Sequence, residues 1–439
     1  MNRRNKFAQD IARALGVRAV PGGLEEAEET HKDGKLIPPG LSALTRELKD
    51  VRPLSLIRPR GFVWITGDSG LVAWGEAARI DCGTGSDRFK TAASQLDRLF
   101  DHVETENPYE DIEGTGPIAF GSYTFDPETP GSSIVLPKVI VRWVGKDAWV
   151  THIGEELPEI AGESRNSAAR TPNDISIRSD TEQWLNAARK ALELIRAEQL
   201  EKVVLARKVD VRGQHDFDIP EIIRGLAERY PSCFTFAFEE LVGASPELLV
   251  RLRGTAVESI PLAGSAPRGG GPEDDKLLAD ALLASEKNLL EHRLAVESVV
   301  TPLNELCHMV EADPRPEVLR LSGVQHLATH VTGQLHTPLS SLELAGVLHP
   351  TAAVCGTPRE VAMQAIRDLE GQDRGRYSGV TGWVDDHGDG EWAIALRCAE
   401  IAGSDASVFA GSGIVRGSVE EEELAETNLK LEAILSAIS

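Results

Sequence analysis

Four polar residues near the C-terminus have the spacing that puts side chains on one face of an α-helix. Glu423, Glu426, Thr427 and Lys430 stand at positions i, i+3, i+4 and i+7. The glycine-rich turn at 411–413 precedes them, and such turns offer backbone N–H groups to an anion. Glutamates would repel that anion unless a metal cation lay between them. The alternative is a solvated acidic helix face with a Glu426–Lys430 surface pair.

A second acidic helix could supply a carboxylate to the same place. Glu291 lies in SEKNLLEH at 285–292, inside a long helical pattern. Carboxylates from two converging helices would form an oxygen-ligand site suited to Mg²⁺. The spacing does not show whether the helices converge, and Glu291 alone could equally be a surface acid.

The elements that would position these residues are strands and helices without a βαβ alternation, so an α+β fold is predicted. A hairpin is expected around the turn at 67–70, and further strands at 116–125 and 132–153. Helix 179–200 begins with a Ser179–Glu182 capping box, and a long helix over 272–306 breaks near Ser285. Further strands are expected at 202–211, 234–239, 247–260, 321–335, 376–386, 391–401 and 407–415, followed by a C-terminal helix.

Three regions follow along the chain. We predict an N-terminal helix and irregular arm over 1–50, a β-rich part over 51–175 and a catalytic region over 176–439. The polar stretch 154–180 reads as a connection between the last two regions.

Composition excludes several classes of protein. A formal net charge of −23 makes nucleic acid and anionic membranes poor partners. No apolar run is long enough for a membrane span, and no secretory signal begins the chain. Five scattered cysteines favour neither disulfides nor a zinc ribbon, so we expect a soluble, cytoplasmic protein.

Three other signals are set aside. GDSG at 67–70 is hairpin-turn chemistry rather than a protease nucleophile. His326 and His330 lie in a strand pattern, where four residues span ~13 Å, too far to share one ion. The glycines at 269–271 lack the GK[ST] ending of a phosphate loop.

Ten sequence blocks between residues 180 and 437 together resemble the chorismate-utilising enzymes, which include isochorismate, salicylate, anthranilate and aminodeoxychorismate synthases. The blocks are KVVLARKVDV, LVGASPELLVRLRG, PLAGSAPRG, SEKNLLEH, VQHLATHVTG, HPTAAVCGTP, YSGVTGW, GEWAIALRCAEI, AGSGIVRGS and ELAETNLK. The resemblance implies one α+β unit of two pseudo-repeated halves with packed sheets, outer helices and a site in a cleft. It also implies a monomer.

The resemblance further implies roles for individual residues. Lys202 would be the general base and Glu247 the general acid; Glu291 and Glu426 would bind Mg²⁺, with Glu423 supporting them. Asn288 stands where the family often has an acid. The substrate chorismate would contact Gly264, Ser265, His326, Ala353, Tyr377, Arg397, Gly411, Gly413 and Lys430.

The expected activity is that of an isochorismate synthase, which adds water at C2 of chorismate and expels the C4 hydroxyl. Lys202 at the base position favours water over ammonia as nucleophile, and Ala353, Leu396 and Phe409 resemble the isochorismate synthase pattern. Salicylate synthase, which goes on to eliminate pyruvate, and a non-catalytic chorismate-binding homologue are the alternatives. The product would enter siderophore or menaquinone synthesis, and the sequence favours neither. Without the resemblance, Lys202 would read as a sheet-edge lysine and Glu247 as a surface acid.

Overall fold

Three β-sheets and eight α-helices make up the part of the chain that the computed structural model describes, residues 40–154, 160 and 173–439. The early strands are β1 (Leu41–Glu47), β2 (Phe62–Thr66), β3 (Ser69–Trp74), β4 (Ala78–Asp81), β5 (Val103–Glu106), β6 (Ile118–Ser122), β7 (Ser133–Leu136), β8 (Val139–Val144), β9 (Asp147–Ile153) and β10 (Ile175–Arg178). The middle strands are β11 (Lys202–Gly213), β12 (Phe234–Phe238), β13 (Leu241–Ser245), β14 (Leu248–Arg253), β15 (Ala256–Ile260), β16 (Leu262–Pro267), β17 (Cys307–Ala312), β18 (Glu317–Arg320), β19 (Val324–Ala328) and β20 (Val331–Leu335). The last are β21 (Gly356–Thr357), β22 (Val380–Asp385), β23 (Gly390–Ile394), β24 (Cys398–Ala402) and β25 (Asp405–Val415).

The α-helices lie between and after these strands, together with a 3₁₀ turn at Pro53–Leu56. They are α1 (Arg88–Asp101), α2 (Thr181–Arg196), α3 (Ile219–Arg229), α4 (Pro272–Ala284), α5 (Glu286–Leu306), α6 (Ser341–Leu348), α7 (Arg359–Glu370) and α8 (Glu420–Ile438). None of the helices in the described part of the chain has the length and apolar character that crossing a bilayer requires.

The two large sheets are each built from distant parts of the chain. The 13-stranded sheet runs β10-β11-β25-β24-β13-β12-β2-β3-β8-β9-β1-β5, with β21 paired to β11. The nine-stranded sheet runs β17-β20-β15-β14-β23-β22-β6-β7-β4, and a small third sheet runs β16-β19-β18. Strands from both sides of the predicted 175/176 division therefore pair in both large sheets, and the division itself stays a prediction.

An apolar core joins the large sheets face to face. The Phe62 ring on β2 stacks on Phe120 of β6 at 5.6 Å between centroids, and the Trp64 indole N–H donates to Glu391 on β23 at 2.6 Å. A second core lies on the other face of the larger sheet, where α8 buries Leu431 and Ile434. The larger sheet therefore packs against the nine-stranded sheet on one face and against helices on the other. This arrangement agrees with the predicted α+β class.

Several local predictions are confirmed and three are wrong. One of the three is the glycine-rich turn at 411–413, which belongs to strand β25 and pairs with β11. The 67–70 hairpin forms, and the long helix does break at Ser285, whose hydroxyl caps α5 by accepting from the Asn288 N–H. The Ser179–Glu182 capping box is wrong, because Asp180 caps α2 and accepts from Gln183 N–H. Residues 41–47, expected in an irregular arm, form β1 because they pair with β9. The predicted N-terminal helix and most of the 154–180 connection lie outside the described residues.

Candidate active site

A cavity beside β11 and β25 collects most of the residues that the sequence singled out. Of the fourteen predicted site residues, eleven line it: Glu247, Gly264, Ser265, Glu291, His326, Ala353, Tyr377, Arg397, Gly411, Gly413 and Lys430. Its walls come from the 13-stranded sheet, the small sheet, α5, α8 and several connecting loops, which are far apart in sequence. The other three predicted residues lie just outside this lining. Lys202 contacts Glu291, Glu426 contacts Lys430, and Glu423 contacts Ser412, which lies between Gly411 and Gly413.

Lys202 is buried, which excludes its being an exposed sheet-edge lysine. It is 0% exposed at the start of β11, where β25 pairs on one side and β21 on the other. Its ammonium lies 3.2 Å from Glu291 Oε1, an ion pair without hydrogen-bond geometry. Gly413 makes room for that pair, because a Cβ there would sit 2.1 Å from Glu291 Oε1.

Glu247 is a buried acid and not a surface one. It stands between β13 and β14 and is 2% exposed. Burial raises the pKa of its carboxyl to about 8, even though the charge of Lys202 and a backbone N–H from Leu262 oppose that rise. Glu247 therefore carries a proton at neutral pH and can donate it.

Arg397 and His326 form a buried pair with a defined tautomer. Arg397 Nη2 lies 2.9 Å from His326 Nε2, and because a guanidinium only donates, Nε2 must accept. Nδ1 then carries the hydrogen and faces Ser265 Oγ at 3.0 Å. Burial, together with the Arg397 charge, holds the pKa of His326 well below its usual value, so the ring is neutral. Arg397 Nε is buried and has no hydrogen-bond partner among the described residues, which leaves a donor for an anion.

Tyr377 and Lys430 lie beside the 411–413 segment of β25. The Tyr377 ring stacks on Phe409 at 5.2 Å, and its hydroxyl would be 3.2 Å from a Cβ at Gly411. The Lys430 ammonium donates to the Gly411 carbonyl at 2.9 Å. Burial raises the pKa of Tyr377 to about 12, so its hydroxyl stays a donor at neutral pH.

The predicted polar face of the C-terminal helix is turned inward, which excludes the solvated acidic surface. Glu423 is 2% exposed and Thr427 is 0% exposed. Glu423 accepts from the Ser412 hydroxyl at 2.6 Å and pairs with Lys287 of α5, while Glu426 pairs with Lys430 at 2.5 Å. Burial raises the pKa of Glu423, with a further rise from the charge of Glu426. Burial also opposes ionisation of Glu426, but Lys430 outweighs it and the pKa is lowered.

The predicted metal ligands do not form a closed cluster in the structure. Among the described residues, only Asp385, Asp386 and His387, on the β22–β23 turn, bring three metal-ligating atoms within 4.8 Å of one another. The predicted ligands do not form such a closed triad, since each pairs with a lysine instead.

The three glutamates predicted as ligands nevertheless act together on one cation, the Lys287 ammonium, and favour its positive charge. Burial lowers the pKa of Lys287, yet the charges of Glu423, Glu291 and Glu426 outweigh it and the pKa is raised. Mg²⁺ needs only one or two protein carboxylates when water and substrate complete its shell. The donor set therefore fits Mg²⁺ in its chemistry. The Asn288 side chain donates from Nδ2 to Oγ of the N-cap residue Ser285 at 2.9 Å.

Two buried residues that position the site were missed from the sequence. The Glu370 carboxylate pairs with Arg374 and accepts from Ala206 N–H of β11 at 2.6 Å. Arg374 donates to the Val204 and Val354 carbonyls, at 2.7 and 2.9 Å. The pair thus ties β11 to the loop that carries Ala353. Its i, i+4 spacing was the only signal, and that spacing is common on exposed helices.

Comparison with known proteins gives consistent findings. A family model described as chorismate binding enzyme matches residues 41–439. The chain is 36% identical over 334 residues to isochorismate synthase DhbC of Bacillus subtilis, covering 73% of this chain and 81% of that protein. It is 31% identical to isochorismate synthase MenF of the same organism, covering 93% and 95%. It shares its fold with the solved structure of the menaquinone-specific isochorismate synthase MenF of Escherichia coli, at a TM-score of 0.76, 24% identity and 99% coverage of both chains.

Proposed function

The chain belongs to the chorismate-binding enzymes, and on that premise we propose that it is an isochorismate synthase, converting chorismate to isochorismate. The observation that carries the proposal is one cavity that joins a buried, protonated acid to a buried lysine and an unsatisfied arginine. These are Glu247, Lys202 beside the lining, and Arg397. The reaction needs a proton acceptor, a proton donor and a receptor for carboxylate, and this set supplies all three.

The acid and base have matched tasks. A water molecule attacks C2 of the ring while Lys202, as the general base, removes its proton. The ring double bonds shift, the C4–O bond breaks, and Glu247 delivers its proton to the departing hydroxyl, which leaves as water. One water enters and one leaves, so the product is an isomer of the substrate. A carboxyl with a pKa of about 8 suits the donor role at neutral pH.

The carboxylates of the substrate would be held by fixed donors. Arg397 can offer its free Nε, and His326 holds the guanidinium by accepting from Nη2. Tyr377 contributes a hydroxyl, and Lys430 a cation beside the Gly411 backbone. Because these groups are buried, their hydrogen bonds to a carboxylate gain strength from the low local dielectric.

Mg²⁺ is the proposed cofactor, held by Glu291 and Glu426 with support from Glu423. When bound, the ion would supply the positive charge that offsets these glutamates, frees Lys202 from Glu291 and receives one substrate carboxylate. We also propose, on the resemblance alone, that the enzyme works as a monomer.

Product analysis tests the proposal directly. The purified protein is incubated with chorismate and Mg²⁺, and the products are separated by chromatography. Isochorismate alone is the expected result. Salicylate with pyruvate would make the protein a salicylate synthase, and unchanged chorismate would make it a non-catalytic binding protein.

A base variant tests the assignment of Lys202. Lys202→Ala should lose turnover by about 10²–10⁴-fold, the usual contribution of a general base, while still binding chorismate. Lys190→Ala, which removes an exposed lysine on α2, is the matched control and should keep wild-type activity. Near-normal turnover by Lys202→Ala would show that another group is the base.

A further inference from the structure

Arg207 is a buried cation for which the described residues provide no anionic partner. It is 4% exposed and lies on β11, on the strand face opposite to Lys202 because five residues separate them. Its Nη2 donates to the neutral Asn428 side-chain oxygen at 2.6 Å. Its Nε has no partner among the described residues, and none of their carboxylates forms an ion pair with it.

Arg374, another buried arginine, shows what full compensation of such a charge requires. Arg374 is 2% exposed, and it pairs with Glu370 and also donates to two backbone carbonyls. Taking a guanidinium out of water without a counter-charge is costly, so buried arginines normally have such partners. Arg207 has one hydrogen bond to an uncharged amide, which leaves most of that cost uncompensated.

Arg207 also lines a cavity of about 540 Å³ between the start of α2, β11 and the end of α7. The first turn of α2 faces this space, with its positive dipole end and partly unpaired N–H groups. Arg178 lines the same cavity, is exposed and forms no ion pair with the described residues. The acids in the lining are all engaged: Asp180 caps α2, Glu182 pairs with Arg189, Asp210 with Lys208 and Glu370 with Arg374.

We propose that this cavity is a second anion site, in which a small oxyanion, a phosphate or a carboxylate, binds Arg207 beside the start of α2. The planar guanidinium has donors free for a second partner, and an oxyanion supplies the missing counter-charge. The site is separate from the active cavity, because the two cavities share no lining residue.

Thermal unfolding with added anions tests the proposal. The full chain is titrated without metal, at constant ionic strength, with inorganic phosphate, with succinate and with chloride as the reference. Wild-type Tm should rise saturably with phosphate, succinate or both, and which of them acts identifies the ligand class. Arg207→Met should weaken the apparent affinity by about 10- to 100-fold, the loss expected for a charge-assisted hydrogen bond.

Two comparisons make the result decisive. Arg397→Met removes the anion receptor of the active cavity and should keep the phosphate response. Without added anion, Arg207→Met should unfold at or above the wild-type Tm, because an unpaired buried charge has been removed. A phosphate response unchanged in Arg207→Met, or one lost in Arg397→Met, would overturn the proposal. If Arg207→Met does not fold, NMR with the wild type decides, with ³¹P for phosphate and ¹H for succinate, since the absence of saturable binding of both anions would overturn the proposal too.

Discussion

Replacing Gly413 by alanine should abolish most of the activity while leaving the fold intact. Gly413 lies on β25 opposite Val204, with no left-handed backbone angle, so alanine can adopt its conformation. The new Cβ would lie 2.1 Å from Glu291 Oε1 and 3.1 Å from Lys202 Cε. Reaching an ordinary contact of 3.4 Å requires the carboxylate to move by about 1.3 Å.

The size of the effect follows from that displacement. The atom that must move is the far end of a flexible side chain, so the cost in folding free energy is small. A gain of about 0.4–1 kcal/mol from a stiffer unfolded chain offsets part of it. The functional cost is larger, because a misplacement of about 1 Å in a catalytic group can cost about 10²-fold in rate. We therefore expect kcat/KM to fall about 100-fold, equivalent to about 2.7 kcal/mol in the barrier.

The assay follows conversion of chorismate with Mg²⁺, alongside thermal unfolding of the same sample. Gly225→Ala on α3 is the matched control: a Cβ there meets nothing within 4 Å, and the variant should keep its activity. Wild-type kcat/KM in folded Gly413→Ala would refute the reasoning, because Glu291 would then not need its present position. Equal losses in both glycine variants would show a general effect of the substitution.

Three further predictions concern protonation, metal binding and the support of β11. Activity should fall as pH rises through about 8, where Glu247 loses its proton. Glu247→Gln should remove turnover. Wild-type activity that stays constant from pH 7 to pH 9 would contradict the assignment of Glu247 as the acid. Since the folded pKa of Glu247 is raised from 4.5, its contribution to stability is complete below pH 4.5 and lost towards pH 8, so Glu247→Gln should flatten the dependence of Tm on pH in that window. Glu291→Gln and Glu426→Gln should each weaken Mn²⁺ binding, measured by calorimetry, by about tenfold or more. Asp386→Asn is the control, because it lies in the separate cluster on the β22–β23 turn and should not change the affinity at the active site. Unaltered binding in both glutamate variants would exclude the two glutamates as ligands. Glu370→Gln should lower the free energy of unfolding, measured in urea, by about 3–5 kcal/mol, because it leaves Arg374 buried and unpaired. The control Glu360→Gln changes an exposed residue and should lower it by about 0.5 kcal/mol or less. A loss below about 1 kcal/mol in Glu370→Gln would show that Arg374 finds other partners.

Features that depend on a few neighbouring residues were predictable from the sequence. The choice of the N-cap of α2 was the exception. The hairpin at 67–70 and the break at Ser285 depend on turn and capping chemistry within a few residues. Ser179 and Asp180 are both good capping residues, and the pattern did not discriminate between them; Asp180 accepts the Gln183 N–H. The strand at 41–47 was missed because its polar, mixed sequence forms a strand only when β9 is beside it.

Candidate site residues were predictable only through the ten blocks taken together. Considered singly, Lys202 and Glu247 read as exposed charges, and the structure buries both. Glu370, Arg374 and Arg207 gave no usable signal, since burial is what distinguishes them from ordinary surface charges and burial comes from distant parts of the chain.

The sequence by itself determined many of the strands and helices, the α+β class and the membership of the chorismate-binding enzymes, because periodicity, turn residues and short sequence blocks are local properties of the chain. Only the tertiary structure decided that the polar face of α8 turns inward, that Lys202 faces Glu291, and that Glu247 keeps its proton. The physical reason is that pKa values and ion pairs depend on burial and on distances between side chains. Those are set by packing elements that lie up to hundreds of residues apart.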